Sequence, residues 1–196
     1  MFTGIIKKTG SFKGYRSGKQ MMALEEHETA RLLQLGESLA VNGVCLSLIK
    51  KEGDTLYFNL SEETLSRTTL GLFRPRQRLN LELPLTLSTP LSGHLVTGHI
   101  DGMGKVLRVK VMGKGKRFSI SFPAELRPFF VSKGSVAIDG VSLTIAELST
   151  SSLDVEVIPI TLEESNLGTL KIGDVINIEC DILGKYMYNW ISKQPR

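Results

Sequence analysis

ESLAVNGVCLSL, from Glu37 to Leu48, and GSVAIDGVSLTI, from Gly134 to Ile145, are two versions of one segment. Ser38, Ala40, Gly43, Val44 and Leu46 return 97 residues later as Ser135, Ala137, Gly140, Val141 and Leu143. Asn42-Gly43 and Asp139-Gly140 are type I′ turn dipeptides, because both central positions need a positive φ that Asn, Asp and Gly tolerate. Each lies between apolar runs, LAV and VCLSL in the first copy, VAI and VSLTI in the second. Both segments therefore read as β-hairpins.

The repeat extends outward on both sides. LYFNLSEETLSRTTLG, starting at Leu56, meets LDVEVIPITLEESNLG, starting at Leu153, at the same displacement, and LNLE at Leu79 meets INIE at Ile176. Thr3-Gly4-x-Ile6 returns as Thr97-Gly98-x-Ile100, displaced by 94. A loop change between these blocks accounts for the three-residue difference, and KGYRSGK and KVMGKGK read as the loops concerned. Separate blocks sharing one displacement, turn residues included, establish two tandem copies.

Further strands are expected at Ile5, in the 11 to 37 region, at Leu56 to Leu60, at Leu79 to Leu83 and at Val175 to Cys180. About six short strands per copy suit a closed barrel, which removes exposed edges. The expected fold is all-β: two tandem six-stranded Greek-key barrels with short helices and a C-terminal α-helix. The expected division is residues 1–90, 91–184 and 185–196. Ser61 reads as an N-cap followed by Glu62 and Glu63, and Ala124 to Lys133 as a helical turn or two. In the tail, Leu183, Tyr186, Met187, Trp190 and Ile191 form an apolar stripe of helical period. Such a face packs on its own barrel or on other copies of the chain.

The 196 residues are 41% hydrophobic and 22% charged, which excludes a disordered chain. Cys45 and Cys180 make no CxxC pair or disulfide framework, so a reducing, cytoplasmic setting is expected. MFTGIIKKTG lacks a signal-peptide pattern, and no apolar run is long enough to cross a membrane. The net charge of +4 gathers at Arg74, Arg76 and Arg78 and from Lys105 to Arg117. Those runs read as solvated faces; a nucleic-acid module would want interleaved aromatics, and Phe73 and Phe118 alone stand beside them.

Alternation in the hairpin strands turns Cys45 and Ser47 away from Val44, Leu46 and Leu48, and Ser142 and Thr144 away from Val141, Leu143 and Ile145. Equivalent small polar groups in both copies could line sites for a flat polar ring, or form a solvent-facing stripe; a free cysteine among them favours a site. His94 and His99, five apart, fall on opposite faces of a strand, so no shared metal is expected. No HExxH, CxxC, GxxxxGK[ST] or dinucleotide fingerprint occurs.

MFTGII, SLAVNGVCLSL, SGHLVTGHIDG, AIDGVSLTI, the IP-x-TLE stretch at Ile158, and INIECD at Ile176 together resemble the riboflavin synthase family over nearly the whole chain. The resemblance implies a homotrimer of duplicated lumazine-binding barrels, with lumazine synthase as a candidate partner and no nucleic acid or membrane. It implies no cofactor and no metal. The implied reaction is the dismutation of two 6,7-dimethyl-8-ribityllumazine molecules to riboflavin and 5-amino-6-ribitylamino-uracil. Carried over by position, Ser38, Cys45 and His99 are implied catalytic residues of the first barrel or the junction, and Ser142 and Asp181 of the second. Gly4, Ile6, Ser47, Asn59, Thr64, Gly98, Ile100, Lys133, Thr144, Ile158 and Thr161 are implied substrate contacts. Val44 stands where some members have a second cysteine, and Asn59 where many carry aspartate. A chromophore-holding lumazine protein that turns nothing over is the alternative within this resemblance.

Overall fold

Each copy closes into its own antiparallel barrel in the computed structural model, which describes residues 1–193. The first contains β1 (Lys8–Arg16), β2 (Met21–Glu25), β3 (Ser38–Val41), β4 (Val44–Glu52), β5 (Thr55–Asn59) and β6 (Arg78–Glu82), with short helices α1 (His27–Leu32) and α2 (Glu62–Arg67). The second contains β7 (Gly102–Met112), β8 (Gly115–Ser121), β9 (Ser135–Ile138), β10 (Val141–Leu148), β11 (Ser152–Val157) and β12 (Val175–Cys180), followed by α3 (Pro159–Glu164) in sequence between β11 and β12. The cyclic order β1-β2-β5-β4-β3-β6 recurs strand for strand in the second barrel. Even the bulges repeat: register breaks at Phe12/Gly14 and Leu48/Lys50 reappear at Val106/Arg108 and Ile145/Glu147. Bulges bend strands, and their recurrence bends both barrels alike.

Each barrel has its own core. Phe12, Met22, Leu39, Leu46 and Phe58 fill the first, and Phe118, Ile120, Val136, Ile145 and Ile178 the second. Val44, Leu46 and Leu48 are buried while Cys45 is half-buried and Ser47 exposed, as the alternation requires. The turns at Asn42-Gly43 and Asp139-Gly140 have positive φ at all four residues.

The barrels join through a buried polar lattice about a pseudo-twofold axis. Asn80 donates its backbone N–H to Asn42 Oδ1 and its side-chain amide to the Asp139 carbonyl; Asn177 does the same to Asp139 Oδ1 and the Asn42 carbonyl. The Asn166 and Thr69 N–H groups donate in turn to the Asn80 and Asn177 side chains. Paired in this way, polar groups cost little to bury and fix one relative arrangement of the barrels.

Four expectations need correction. The opening strand begins at Lys8 rather than Ile5, because Gly4, with φ +75°, turns the leading segment out of its own barrel. The residues around His94 and His99 form an irregular segment rather than a strand, touching one isolated bridge, Phe2 with Val96. KGYR and KVM, read as loop, are the ends of β1 and β7; two of the three extra residues lengthen the strands of the second hairpin, and the third lies between β8 and Ala124. Ala124–Phe129 is a 3-10 turn with Pro128 inside it, since proline cannot donate the bond an α-helix needs there. The tail helix α4 spans Ile182–Ser192, and residues 194–196 of the expected segment lie outside the described residues.

Candidate ligand-binding faces

The two leading segments cross over. Ile6, which precedes the first barrel's opening strand, is buried in the core of the second barrel, and Ile100, which precedes β7, packs on the core of the first. Ser142 N–H donates to the Gly4 carbonyl at 2.8 Å, and Cys45 N–H donates to the Gly98 carbonyl at 2.9 Å. A methyl group on Gly4 would lie 2.6 Å from Ser142 Cβ, and one on Gly98 would lie 2.5 Å from Cys45 Cβ. Only glycine permits that approach, and each also has a positive φ.

Two faces result. Around Cys45 lie Gly98, His99 and Ile100 from the crossing segment, with Ser47 two residues along β4 and Ser38 directly opposite Ser47 on β3. Around Ser142 lie Gly4 and Ile6, with Thr144 along β10 opposite Ser135 on β9. Asn59 ends β5, and Thr64 lies in α2, where its hydroxyl meets Ser61 Oγ at 2.8 Å. Ile158 is the exposed N-cap residue of α3, and Thr161, equivalent to Thr64, lies within that helix. Lys133 holds a left-handed φ of 65°, the place Gly36 takes in the first copy, and donates its Nζ to the Ala146 carbonyl.

His94 is the residue that sequence reasoning left without a role. Its Nδ1 lies 2.7 Å from Ser142 Oγ, while its Nε2 is enclosed with no partner among the described residues. Burial pushes the imidazole below its ordinary range, and the Asp181 carboxylate partly offsets this. A neutral ring protonated on Nε2 presents an accepting Nδ1 to the Ser142 hydroxyl. Asp181, the N-cap of α4, accepts from Leu183 N–H at 3.0 Å. His99 is exposed and carries its N–H on Thr97 Oγ1.

Each crossing segment is held by a carboxylate. Glu82 accepts from Thr3 N–H (2.7 Å), Thr3 Oγ1–H (2.6 Å) and Gly4 N–H (3.0 Å); Glu179 accepts from Thr97 N–H (2.6 Å), Thr97 Oγ1–H (2.7 Å) and Gly98 N–H (3.0 Å). Burial raises both carboxyl groups above their usual range, against these hydrogen bonds. The repeated LNLE and INIE blocks carried this signal in sequence.

Cavities of about 410 and 400 Å³ lie elsewhere, between the barrels beside Asp139 and Arg78 and beside α1 at Leu32 and Pro84, and one of about 450 Å³ lies at Phe12 and Pro75. The Cys45 and Ser142 faces are open. No group of three or more candidate metal-ligating side chains occurs among the described residues, and no helix there is long and apolar enough to cross a membrane.

The Lumazine binding domain model matches twice, at residues 3–84 and 97–181. The riboflavin synthase of Actinobacillus pleuropneumoniae is 35% identical over 197 residues, covering 100% of this chain and 92% of its own length. The chain belongs to the riboflavin synthase family. A second member, from Bacillus subtilis (strain 168), is 34% identical over 196 residues, covering 98% of this chain and 91% of its own. Among solved structures, LumP complexed with 6,7-dimethyl-8-(1'-D-ribityl) lumazine superposes with a TM-score of 0.82 at 24% identity, over 91% of this chain and 98% of that one. LumP complexed with riboflavin gives 0.84 over 92% and 99%. At that identity the likeness concerns the fold, and it extends across both barrels of the riboflavin synthase family member described here.

Proposed function

We propose that the chain is a riboflavin synthase, converting two 6,7-dimethyl-8-ribityllumazine molecules into riboflavin and 5-amino-6-ribitylamino-uracil. The observation that carries this reading is the pairing of Cys45 with Ser142: equivalent positions, each beneath a glycine of the crossing segment, make two similar faces for two identical substrates. The atoms of two substrates equal those of the two products, so a four-carbon unit moves without an external oxidant, and the activity is that of a cofactor-independent transferase.

On the Ser142 face, the hydroxyl adds at C7 of the donor ring and its proton passes to His94 Nδ1. On the Cys45 face, His99 takes a proton from the C7 methyl of the acceptor, which conjugation with the ring makes acidic; a modest base is enough. The carbanion then attacks C6 of the facing donor ring. As the new ring closes, the C7–O bond to Ser142 and the donor's two C–N bonds at C6 and C7 break, the serine oxygen takes its proton back from His94, and 5-amino-6-ribitylamino-uracil leaves. Holding the two rings together supplies much of the rate. Ser38 and Cys45 act beside His99 on the Cys45 face, where Ser47, Asn59, Thr64, Gly98 and Ile100 hold the ring. Gly4, Ile6, Lys133, Thr144, Ile158 and Thr161 hold the other, with Asp181 acting on His94.

Both faces are open, and each would close if the first barrel of one copy lay against the second barrel of another. The stripe of α4 supports such an assembly: Leu183, Tyr186, Met187, Trp190 and Ile191 are all more than half exposed. We read it as the contact of a homotrimer, with lumazine synthase as a further candidate partner. A cytoplasmic setting would keep the Cys45 thiol reduced.

Purified chain and 6,7-dimethyl-8-ribityllumazine, in metal-free buffer, should produce riboflavin, followed by its absorbance. Saturable binding without riboflavin would instead make the chain a chromophore holder.

A further inference from the structure

We infer that Glu82 and Glu179 are positioning residues that act crosswise, each governing the binding face of the barrel to which it does not belong. This rests on the two faces proposed above. Glu82 ends β6 of the first barrel, yet the segment it clamps lies on Ser142 of the second. Glu179 lies in β12 of the second barrel, and its segment lies on Cys45 of the first.

The clamps reach the proposed chemistry through two-step chains of hydrogen bonds. Thr97 Oγ1 donates to Glu179 and accepts from His99 N–H at 3.3 Å, so Glu179 fixes the backbone from which the imidazole projects. Thr3 Oγ1 donates to Glu82 and accepts from Ile5 N–H at 3.1 Å, while the Thr3 carbonyl accepts from His94 N–H at 3.2 Å. Glu82 therefore fixes both the Gly4 wall and the histidine that meets Ser142. Neither carboxylate touches a bound ring under this reading. Each oxygen is matched to an N–H or O–H donor, and glutamine would turn an NH2 group toward the Gly4 or Gly98 N–H.

Cys45 reports the arrangement without any turnover, because it is half-buried while Cys180 is buried. The test alkylates the full chain with iodoacetamide and reads labelling by mass spectrometry, with and without 6,7-dimethyl-8-ribityllumazine. Glu179→Gln, from the other barrel, should change the Cys45 labelling rate about tenfold. Glu82→Gln, from Cys45's own barrel, should leave it within about twofold. With Ser142→Cys as the reporter, the two effects should exchange. Cys180 remaining unlabelled shows that the barrels are intact, and Thr97→Val, which removes one clamp bond and the support of His99, serves if Glu179→Gln does not fold. Equal effects of both glutamines on Cys45, or a larger effect from Glu82→Gln, would overturn the inference. Loss of ligand protection of Cys45 in the unsubstituted chain would overturn the functional reading, while the crossed labelling pattern would still stand or fall by itself.

Discussion

Gly43 and Gly140 meet across the pseudo-twofold axis so closely that a methyl group on either would fall 2.7 Å from the backbone nitrogen of the other. Each has a φ of +79°, so the turn requires glycine for its conformation as well as for the contact. Substituting alanine at either position should destabilise the chain by about 2–3 kcal/mol, measured by urea unfolding. Since neither glycine can move without the other, the double variant should depart from the sum of the two singles.

Buried His94 and half-buried Ser142 should matter to turnover more than to binding. His94→Ala should lower kcat by about 100-fold, as expected for the loss of a positioned proton acceptor, with a smaller change in KM. With burial holding the imidazole below its ordinary range, acid should reduce activity only at pH values under that range. Unchanged kcat in His94→Ala would remove the residue from the chemistry.

Asp139 makes stability depend on pH. Burial raises its folded pKa from the ordinary aspartate range to about 7, against hydrogen bonds from Asn177 and Asn166. A carboxyl group so raised binds its proton more tightly in the folded chain, so its stabilising contribution is full below about 4 and declines as pH rises through 7. Asp139→Asn removes this titration and should flatten the change in unfolding midpoint between pH 5 and pH 8. The variant should also cost stability at pH 5, because its amide would face the Asn166 amide that now donates to Asp139 at 2.8 Å.

The exposed stripe of α4 should be needed for assembly. One side of the helix already packs on its own barrel, with Tyr188 edge-on to Phe129 at 5.4 Å and Lys185 paired to Asp101 at 2.6 Å. Replacing Met187 and Trp190 by lysine leaves those contacts in place. Sedimentation of that variant should give monomers that retain the unfolding midpoint of isolated protomers, with riboflavin formation reduced at least tenfold.

The repeat was legible because it is written in residues with fixed conformational demands. Asn42-Gly43 and Asp139-Gly140 could be only tight turns, and the alternation after them placed Cys45 and Ser142 on their faces. The crossing was not legible, because Gly4-Ile5-Ile6 looks the same whether it opens a strand in one barrel or packs on another. Its direction depends on a positive φ at Gly4 and on Glu82, 78 residues away. His94 was hidden for a different reason: its counterpart would precede Met1, so the repeat that flagged Ser142 was silent about its partner. The Asn80 and Asn177 lattice was likewise a long-range pairing that no local pattern records.

The crossed leading segments also say how such a chain could have arisen. Each barrel borrows the covering of its Cys45 or Ser142 strand from its neighbour, as two separate molecules do when they exchange identical arms. The tandem copy thus has the form of an arm-exchanged dimer fused into one polypeptide. A single half released from that fusion would carry an uncovered face until it found a second half to trade arms with, and joining both halves in one chain makes that trade permanent.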